Sequence, residues 1–248
     1  VQLPGLNTDQ IAALTSTQIQ ALTTTQLGQL NTMQIDAIET GDFAVMGTAQ
    51  IQGLSTFQIA NLALDQISNI KTQQIGALLT NQIAALTSNE VFMLNTAQIV
   101  QLSSTQIGNL STAVIANLKS ELLNNITSTQ LAGLKTNQIT ALTSDEAASL
   151  NTSQISLLST AQISNLSTAV IINLNSDQIA SLTTVNVPSL KSTQIAAIKI
   201  QQISSIEAND LVVLTSVQLP GFNTDQIAAL TSTQVQALTT TQLGQLNT

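Results

Sequence analysis

The sequence contains no cysteine, histidine, tryptophan, tyrosine or arginine, and only 2% of its 248 residues are aromatic and 7% charged. An ordinary soluble domain is about one quarter charged. The missing side chains exclude a zinc site of the Cys/His type, a haem held by His or Cys, and nucleophiles of the Ser/His/Asp or Cys/His kind. We therefore expect no catalytic residue, no metal site and no cofactor, and interpret the chain as something other than an enzyme.

Positive charge is also scarce, since thirteen acidic residues face only five lysines and the net charge is −8. Binding to nucleic acid or to anionic lipid depends on clustered positive charge. No run of apolar residues approaches the roughly 18 that a membrane helix needs. The sequence predicts no nucleic-acid partner and no membrane insertion.

What the sequence does contain is a repeat of eight residues. An apolar residue recurs at every eighth position from Leu6 to Leu246 without insertion or deletion. With this residue as position one, position six is also apolar, position three is Ser or Thr in 27 of 30 complete octads, and position five is Gln in 22. The consensus octad is Leu-Thr-Thr-x-Gln-Ile-x-x. Self-similarity at a fixed period is typical of solenoids, in which each unit contacts mainly its neighbours.

Each octad carries the signals of a helix start. With position two as the N-cap, the pairs Thr15 with Gln18 and Ser55 with Gln58 have the spacing of a capping box. Positions one and six then have the spacing of a hydrophobic staple. A helix of about one and a half turns does not persist alone, so neighbouring helices must stabilise it.

These patterns predict an all-α solenoid or superhelix of very short helices, one per octad. We expect positions one and six to form its core, represented by Leu14, Ile19, Leu22, Leu27, Leu30 and Ile35. The alternative is a β-solenoid with three octads in each turn, which the abundant Thr and Ile favour. The alternating five- and three-residue apolar spacing, with plentiful Ala and Gln, favours the helical fold.

The octads also form a longer repeat. Residues 1–32 return at 217–248 with two substitutions, at Phe222 and Val235. The offset from residue 1 to residue 217 equals 27 octads. We predict one continuous solenoid over 1–248, in which 1–216 is one long unit and 217–248 begins the next. Position five becomes acidic in this unit at Asp42, Glu90, Glu146 and Asp210, at intervals of six, seven and eight octads. This spacing indicates either a superhelical turn of about seven octads or duplication of a seven-octad block.

Octads such as LSTAQISN, LTSTQIQA and LNTAQIVQ, interrupted by IETGDFAV and IEANDLVV, carry a resemblance over residues 6–248. They resemble the Thr/Gln-rich octapeptide-repeat regions of very large bacterial surface proteins, often labelled haem utilisation or adhesion proteins. The resemblance implies an extracellular or cell-surface location and a structural or adhesive role. The haem part of that label finds no ligand here, because Met33, Met46 and Met93 are expected to be packing residues.

We therefore expect a structural or adhesive protein that forms an extended extracellular fibre. Its expected partners are adjacent repeat units of the same chain and further copies, which associate into filaments or bundles. The alternative is a ligand-binding array for ice, glycan or calcium, with the regular hydroxyl groups as its surface. A glycosidase with paired carboxylates is disfavoured, because the neighbouring Asp145 and Glu146 diverge on a helix.

Overall fold

The computed structural model describes residues 5–246, in which 28 short α-helices follow one another at the octad spacing. The helices contain four to six residues each and start at position three of an octad. Their bounds are α1 Thr8–Ala12, α2 Ser16–Gln20, α3 Thr24–Gly28, α4 Thr32–Asp36, α5 Thr40–Phe43, α6 Thr48–Gln52, α7 Thr56–Ile59, α8 Leu64–Asn69, α9 Thr72–Ala77, α10 Thr80–Ala85, α11 Ser88–Met93, α12 Thr96–Ile99, α13 Ser104–Ile107, α14 Thr112–Ile115, α15 Ser120–Asn125, α16 Ser128–Ala132, α17 Thr136–Ala141, α18 Ser144–Ser149, α19 Thr152–Leu157, α20 Thr160–Ser164, α21 Thr168–Asn173, α22 Ser176–Ala180, α23 Ser192–Ala196, α24 Ile200–Ile203, α25 Ala208–Val212, α26 Thr224–Ala228, α27 Ser232–Ala237 and α28 Thr240–Leu243.

Each helix begins and ends for local reasons. The residue at position two has extended backbone, as at Thr15 with φ −77° and ψ 159°, and caps the helix that follows. At the other end, the N–H of position one donates to the carbonyl of position six, as from Leu30 to Leu27 over 3.1 Å. The next position two must again be extended, so the helix cannot continue.

Two octads form 3-10 helices instead, Val187–Ser189 and Leu219–Gly221. Both contain proline at position seven, Pro188 and Pro220. In a regular octad the N–H of position seven donates to the carbonyl of position three, as from Val100 to Thr96 over 3.2 Å. Proline has no N–H, so this bond is lost and the helix shortens.

No strand occurs between residues 5 and 246, which confirms the all-α prediction and leaves the β-solenoid alternative without support. No helix in that stretch is long and apolar enough to cross a membrane.

The helices form two compact units, residues 1–133 and 134–248. Within the first, each helix packs against the helix three octads further on, from α1 against α4 to α13 against α16. The second unit repeats this pattern, from α17 against α20 to α25 against α27, with the 3-10 helices taking the places of α-helices. One turn, which we call a coil, therefore contains three octads. The superhelical turn of about seven octads, one of the two interpretations of the acidic residues, is not the turn observed within either unit, because the contacts return after three octads.

Three octads per coil give each unit three columns of stacked octads. The first column begins at residues 6, 30, 54, 78, 102 and 126 in the first unit and at 150, 174, 198 and 222 in the second. The second column begins one octad later and the third column two octads later. Positions one and six fill the space between the columns: Ile51, Ile59 and Ile75, for example, are completely buried.

Candidate functional site: the glutamine ladder between coils

The polar contacts between coils centre on the glutamine at position five, which is the third residue of its helix. Gln58 is 3% exposed and uses both ends of its amide. Its Oε1 accepts from the N–H of Ser55 over 2.7 Å, within its own octad. Its Nε2 donates to the carbonyls of Leu27 over 2.9 Å and Leu30 over 2.6 Å, at the end of helix α3 in the preceding coil.

The same arrangement recurs in both units, and we call it the glutamine ladder. Nε2 of a position-five glutamine donates to the carbonyl 28 residues earlier, and in many octads also to the one 31 residues earlier. Members with both bonds are Gln50, Gln58, Gln66, Gln74, Gln82 and Gln130 in the first unit, and Gln178, Gln194, Gln218, Gln226, Gln234 and Gln242 in the second. The last carbonyls of a helix have no partner within it, so the ladder satisfies them from the next coil.

The glutamine half of the capping box persists where the N-cap residue has no oxygen. Gln50, Gln66 and Gln82 accept from the N–H groups of Gly47, Ala63 and Leu79 at 2.9, 3.2 and 2.8 Å. The N-cap side chain is therefore variable, while the amide that joins the coils is retained.

The capping residues named from the sequence lie as follows. Thr15 and Gln18 bond reciprocally, from the Thr15 N–H to Oε1 over 2.9 Å and from the Gln18 N–H to Oγ1 over 3.4 Å. Ser55 and Gln58 do the same, with the return bond from the Gln58 N–H to Ser55 Oγ at 3.2 Å. Sequence reasoning found this half of the glutamine contact and missed the half that reaches the preceding coil.

The predicted core residues fall into two groups. Ile19, Leu27, Leu30 and Ile35 are buried, with at most 4% of the residue exposed. Leu14 and Leu22 are only half-buried. They belong to the first coil that the structure describes, and no described coil precedes it for position one to pack against.

The three columns use the ladder unequally. Every octad of the first column has glutamine at position five: Gln10, Gln34, Gln58, Gln82, Gln106, Gln130, Gln154, Gln178, Gln202 and Gln226. The replacements all lie in the other two columns, at Asp42, Glu90, Val114, Asn186 and Asp210 in the second and Leu122, Glu146 and Val170 in the third. This pattern of every third octad is the signal in the sequence that identifies three octads per coil.

The four position-five acids have different surroundings. Asp42 is half-buried and accepts from the hydroxyl of Ser16, one coil earlier. Glu146 is 4% exposed and accepts from the Thr143 N–H over 2.7 Å. Glu90 is 2% exposed, and its burial raises the carboxyl pKa above the usual value of 4.5. At Asp210, burial and then the charge of Glu207 raise the pKa from 3.8 to about 6.

Glycine allows neighbouring coils to approach closely at particular places. A Cβ on Gly133 would collide with the backbone oxygen of Ser104, in the preceding octad of the first column, and lie 2.8 Å from its Cα. A Cβ on Gly221 would lie 2.5 Å from the backbone oxygen of Ser192 in the second unit. At these positions any larger residue requires the backbone to move.

The interior is filled by side chains. In the second unit, an apolar cavity of about 10 Å³ lies among residues that include Leu182, Val187 and Leu190, which is too small for an organic ligand. No group of three or more acidic side chains in the part of the chain that the structure describes could hold a metal ion. The interior therefore contains apolar packing and the hydrogen bonds that join one coil to the next.

Comparison with known proteins agrees with this repeat architecture. The model of the ALTTAQ repeat matches three segments, residues 1–32, 35–72 and 203–240. No curated protein matches the chain. The chain is thus a helical repeat protein, and these three segments are similar to the ALTTAQ repeat.

Proposed function

We propose that the chain is a structural segment of an extended fibre, located outside the cell on a bacterial surface or in its matrix. One observation carries the proposal: residues 217–246, which repeat the sequence of the first coil, enter the same ladder as the coils before them. Gln226 donates to the carbonyls of Ile195 and Ile198 over 2.9 and 2.7 Å, and Gln234 to those of Ile203 and Ile206 over 2.8 and 2.7 Å.

The length of the long repeat is also a whole number of coils. Twenty-seven octads equal nine coils of three octads, so in an uninterrupted array a second long unit would begin in the column where the first began. Successive units then join through ordinary coil contacts and need no adaptor segment. An array of this kind grows in one direction, because each coil contacts only its neighbours.

The low charge and the uniform side chains fit a scaffold that spans distance. Stability accumulates along such an array as a sum of coil and interface contributions, so the fibre needs no large globular core. The extracellular location and the adhesive role rest on the resemblance of the octads to repeats of bacterial surface proteins.

Small-angle X-ray scattering of one, two and three tandem copies of the long unit 1–216 tests the extended shape. Nine coils stacked at about 8–10 Å would add roughly 70–90 Å per unit to the maximum dimension. We expect a linear increase with the number of units. An increase with only the cube root of mass would show compact particles and contradict the proposal.

Location and association need separate experiments. Labelling of intact source cells with an antibody to the octads should stain the surface, and staining only after permeabilisation would contradict an extracellular fibre. Electron microscopy of purified tandem units should show filaments or bundles. Dispersed single chains at native salt would limit the proposal to a spacer without self-association.

The ligand-binding array remains the competing function. It requires hydroxyl groups that are free to bind a ligand at the surface. Several hydroxyls at position three already bond to the next coil, as Ser88 and Ser144 donate to the carbonyls of Ala113 and Ala169 over 3.1 and 3.2 Å. These groups are therefore not free to form a regular surface lattice. Thermal hysteresis, glycan binding or calcium-dependent melting of the purified chain would favour the array over the fibre.

A further inference from the structure

Glu90 occupies a ladder position without the donor that the ladder requires. Gln66, one coil earlier in the same column, donates through Nε2 to the carbonyls of Ile35 and Ile38, both over 2.9 Å. The same register places the carbonyls of Ile59 and Leu62 opposite position 90, and the Ile59 carbonyl already accepts from the Leu62 N–H over 3.3 Å. A carboxylate oxygen stands where the amide nitrogen would be.

The two oxygens of Glu90 differ sharply. Oε2 accepts from the N–H of Thr87 over 2.6 Å and from its Oγ1 over 2.8 Å, as the glutamine oxygen does elsewhere. Oε1 is buried and has no hydrogen-bond partner. A buried oxygen without a partner costs about 1–3 kcal/mol, and more when it is charged. One proton on Oε1 would convert it into the missing donor.

We propose that Glu90 is a pH-sensitive clamp between helix α11 and the end of helix α7 in the preceding coil: protonated, it donates from Oε1 to a carbonyl there, and ionised, it loosens that contact. The proton comes from solvent and returns to solvent, so no other reactant is needed. The clamp is a property of the folded coil and does not depend on the proposed fibre.

The surroundings of Glu90 supply no compensating positive charge. Helix α8 contains one titratable residue, Asp65, whose carboxylate accepts from the hydroxyl of Thr40 over 3.0 Å and from the N–H of Gln66. Helix α7, which ends at the proposed acceptors, and helix α14, on the other side, contain none. The ammonium of Lys119 lies 4.1 Å from the ring centre of Phe92, in the same helix as Glu90. Ionisation of Glu90 therefore places an uncompensated charge between the coils.

The direction of the pKa shift agrees with this geometry. Burial raises the pKa of Glu90, and hydrogen bonds from Thr87 oppose the rise. The N–H of Leu62 also lies close enough to oppose the rise in pKa, although it donates to the Ile59 carbonyl over 3.3 Å and forms no hydrogen bond to Oε1. A raised pKa means that the folded state binds the proton more tightly than the unfolded state. The stabilisation is complete below pH 4.5 and is lost as the pH rises towards the folded-state pKa.

Amide hydrogen exchange of the peptide covering residues 87–94, measured in the full chain, tests the clamp locally. The variant E90Q supplies a permanent donor, and E121Q removes the same charge at an exposed site in helix α15. We expect the ratio of E90Q to wild-type protection to be near one at pH 4 and at least about tenfold at pH 7.5, because the ionised wild type then has a buried charged oxygen without a partner. For E121Q the ratio should stay near one at both values.

Two outcomes would overturn the proposal. One is an E90Q ratio that does not change with pH. The other is wild-type protection at pH 7.5 that is restored by sodium or calcium, because Oε1 would then bind a cation in place of a proton. If E90Q fails to fold, a carbon-13 NMR titration of the wild-type Glu90 carboxyl decides the question. A midpoint above 4.5 supports the clamp, and a midpoint at or below it contradicts the clamp.

Discussion

In the first unit, the first and second columns stack in the same way but differ in the side chains at position five. The first column has glutamine at position five in every coil. The second column has, in successive coils, Gln18, Asp42, Gln66, Glu90 and Val114. Both bury apolar side chains at position six, although the second column has Phe43 and Val91 where the first has Ile or Leu. What differs is the number of helix-end carbonyls that receive a donor from the next coil. The comparison separates stability that comes from apolar burial from stability that comes from the ladder.

Two glutamines with the same local sequence differ in whether they join the ladder. Residues 10 and 226 are both glutamine within the same local sequence, TDQIAALTSTQ, yet Gln226 is completely buried and Gln10 is exposed. Both accept from their own N-cap N–H over 3.0 Å. Only Gln226 has a preceding described coil to which Nε2 can donate. The local cap is thus independent of stacking, and the second half of the contact forms only when a coil is present to receive it.

Q82E breaks the first column and should have the largest effect. Gln82 is 1% exposed and donates to the carbonyls of Ile51 and Leu54 over 2.9 and 2.7 Å. A carboxylate there would face two carbonyls, and the N-cap residue Leu79 has no hydroxyl to compensate. We expect a loss of about 3–5 kcal/mol in the free energy of unfolding at pH 7, measured by chemical denaturation of the full chain.

The charge-matched control for this variant is Q29E, at an exposed residue, which should change the free energy of unfolding by less than about 0.5 kcal/mol. Lowering the pH to 4 should recover much of the loss in Q82E, because the protonated side chain is again a donor. A loss equal at pH 7 and pH 4 would mean that shape, and not the donor, matters at this position.

G133A tests how closely the coils of the first column must approach. The added Cβ would collide with the backbone oxygen of Ser104 and meet its Cα at 2.8 Å, and neither atom can turn aside as a side chain can. We expect a destabilisation of about 2–3 kcal/mol, measured by thermal and chemical unfolding. The control G41A, where nothing lies within 4 Å of the added Cβ, should be neutral or slightly stabilising. Equal effects of the two substitutions would show that helix propensity governs both positions.

D210N sharpens the comparison in the second column of the second unit. Burial and the neighbouring Glu207 raise the pKa of Asp210 from 3.8 to about 6, so the folded state holds the proton more tightly. Wild-type stability should therefore fall as the pH rises from about 4 to about 6, by roughly 1–2 kcal/mol after solvent screening. D210N should remove this part of the pH profile, whereas D225N, at an exposed site, should keep it. Identical profiles for wild type and D210N would contradict the assignment.

The sequence predicted the parts of this structure that are local. The N-cap at position two, the capping pair of Thr15 with Gln18, and the short length of each helix depend on residues within one octad or next to it. The number of octads per coil is not local, because an octad period is compatible with any number of octads in a turn. The bond from Gln58 to Leu30 joins residues of different coils, so the octad pattern alone could not predict it. Only the unbroken glutamine column, repeated every third octad, contained that information.

V114Q should repair the second column where it lacks a donor, and its expected effect is the smallest. Val114 is 1% exposed, and its N–H already donates to the hydroxyl of Ser111 over 3.2 Å. The register places the carbonyls of Ile83 and Leu86 within reach of a new amide, for a gain of about 1 kcal/mol in the free energy of unfolding. For a chain of this size that corresponds to roughly 2–4 °C in melting temperature. V114L adds comparable bulk without the donor, so it isolates the hydrogen bonds from packing. If V114L stabilises the chain as much as V114Q, the second column is limited by volume, and the ladder confers specificity of stacking with little net stability.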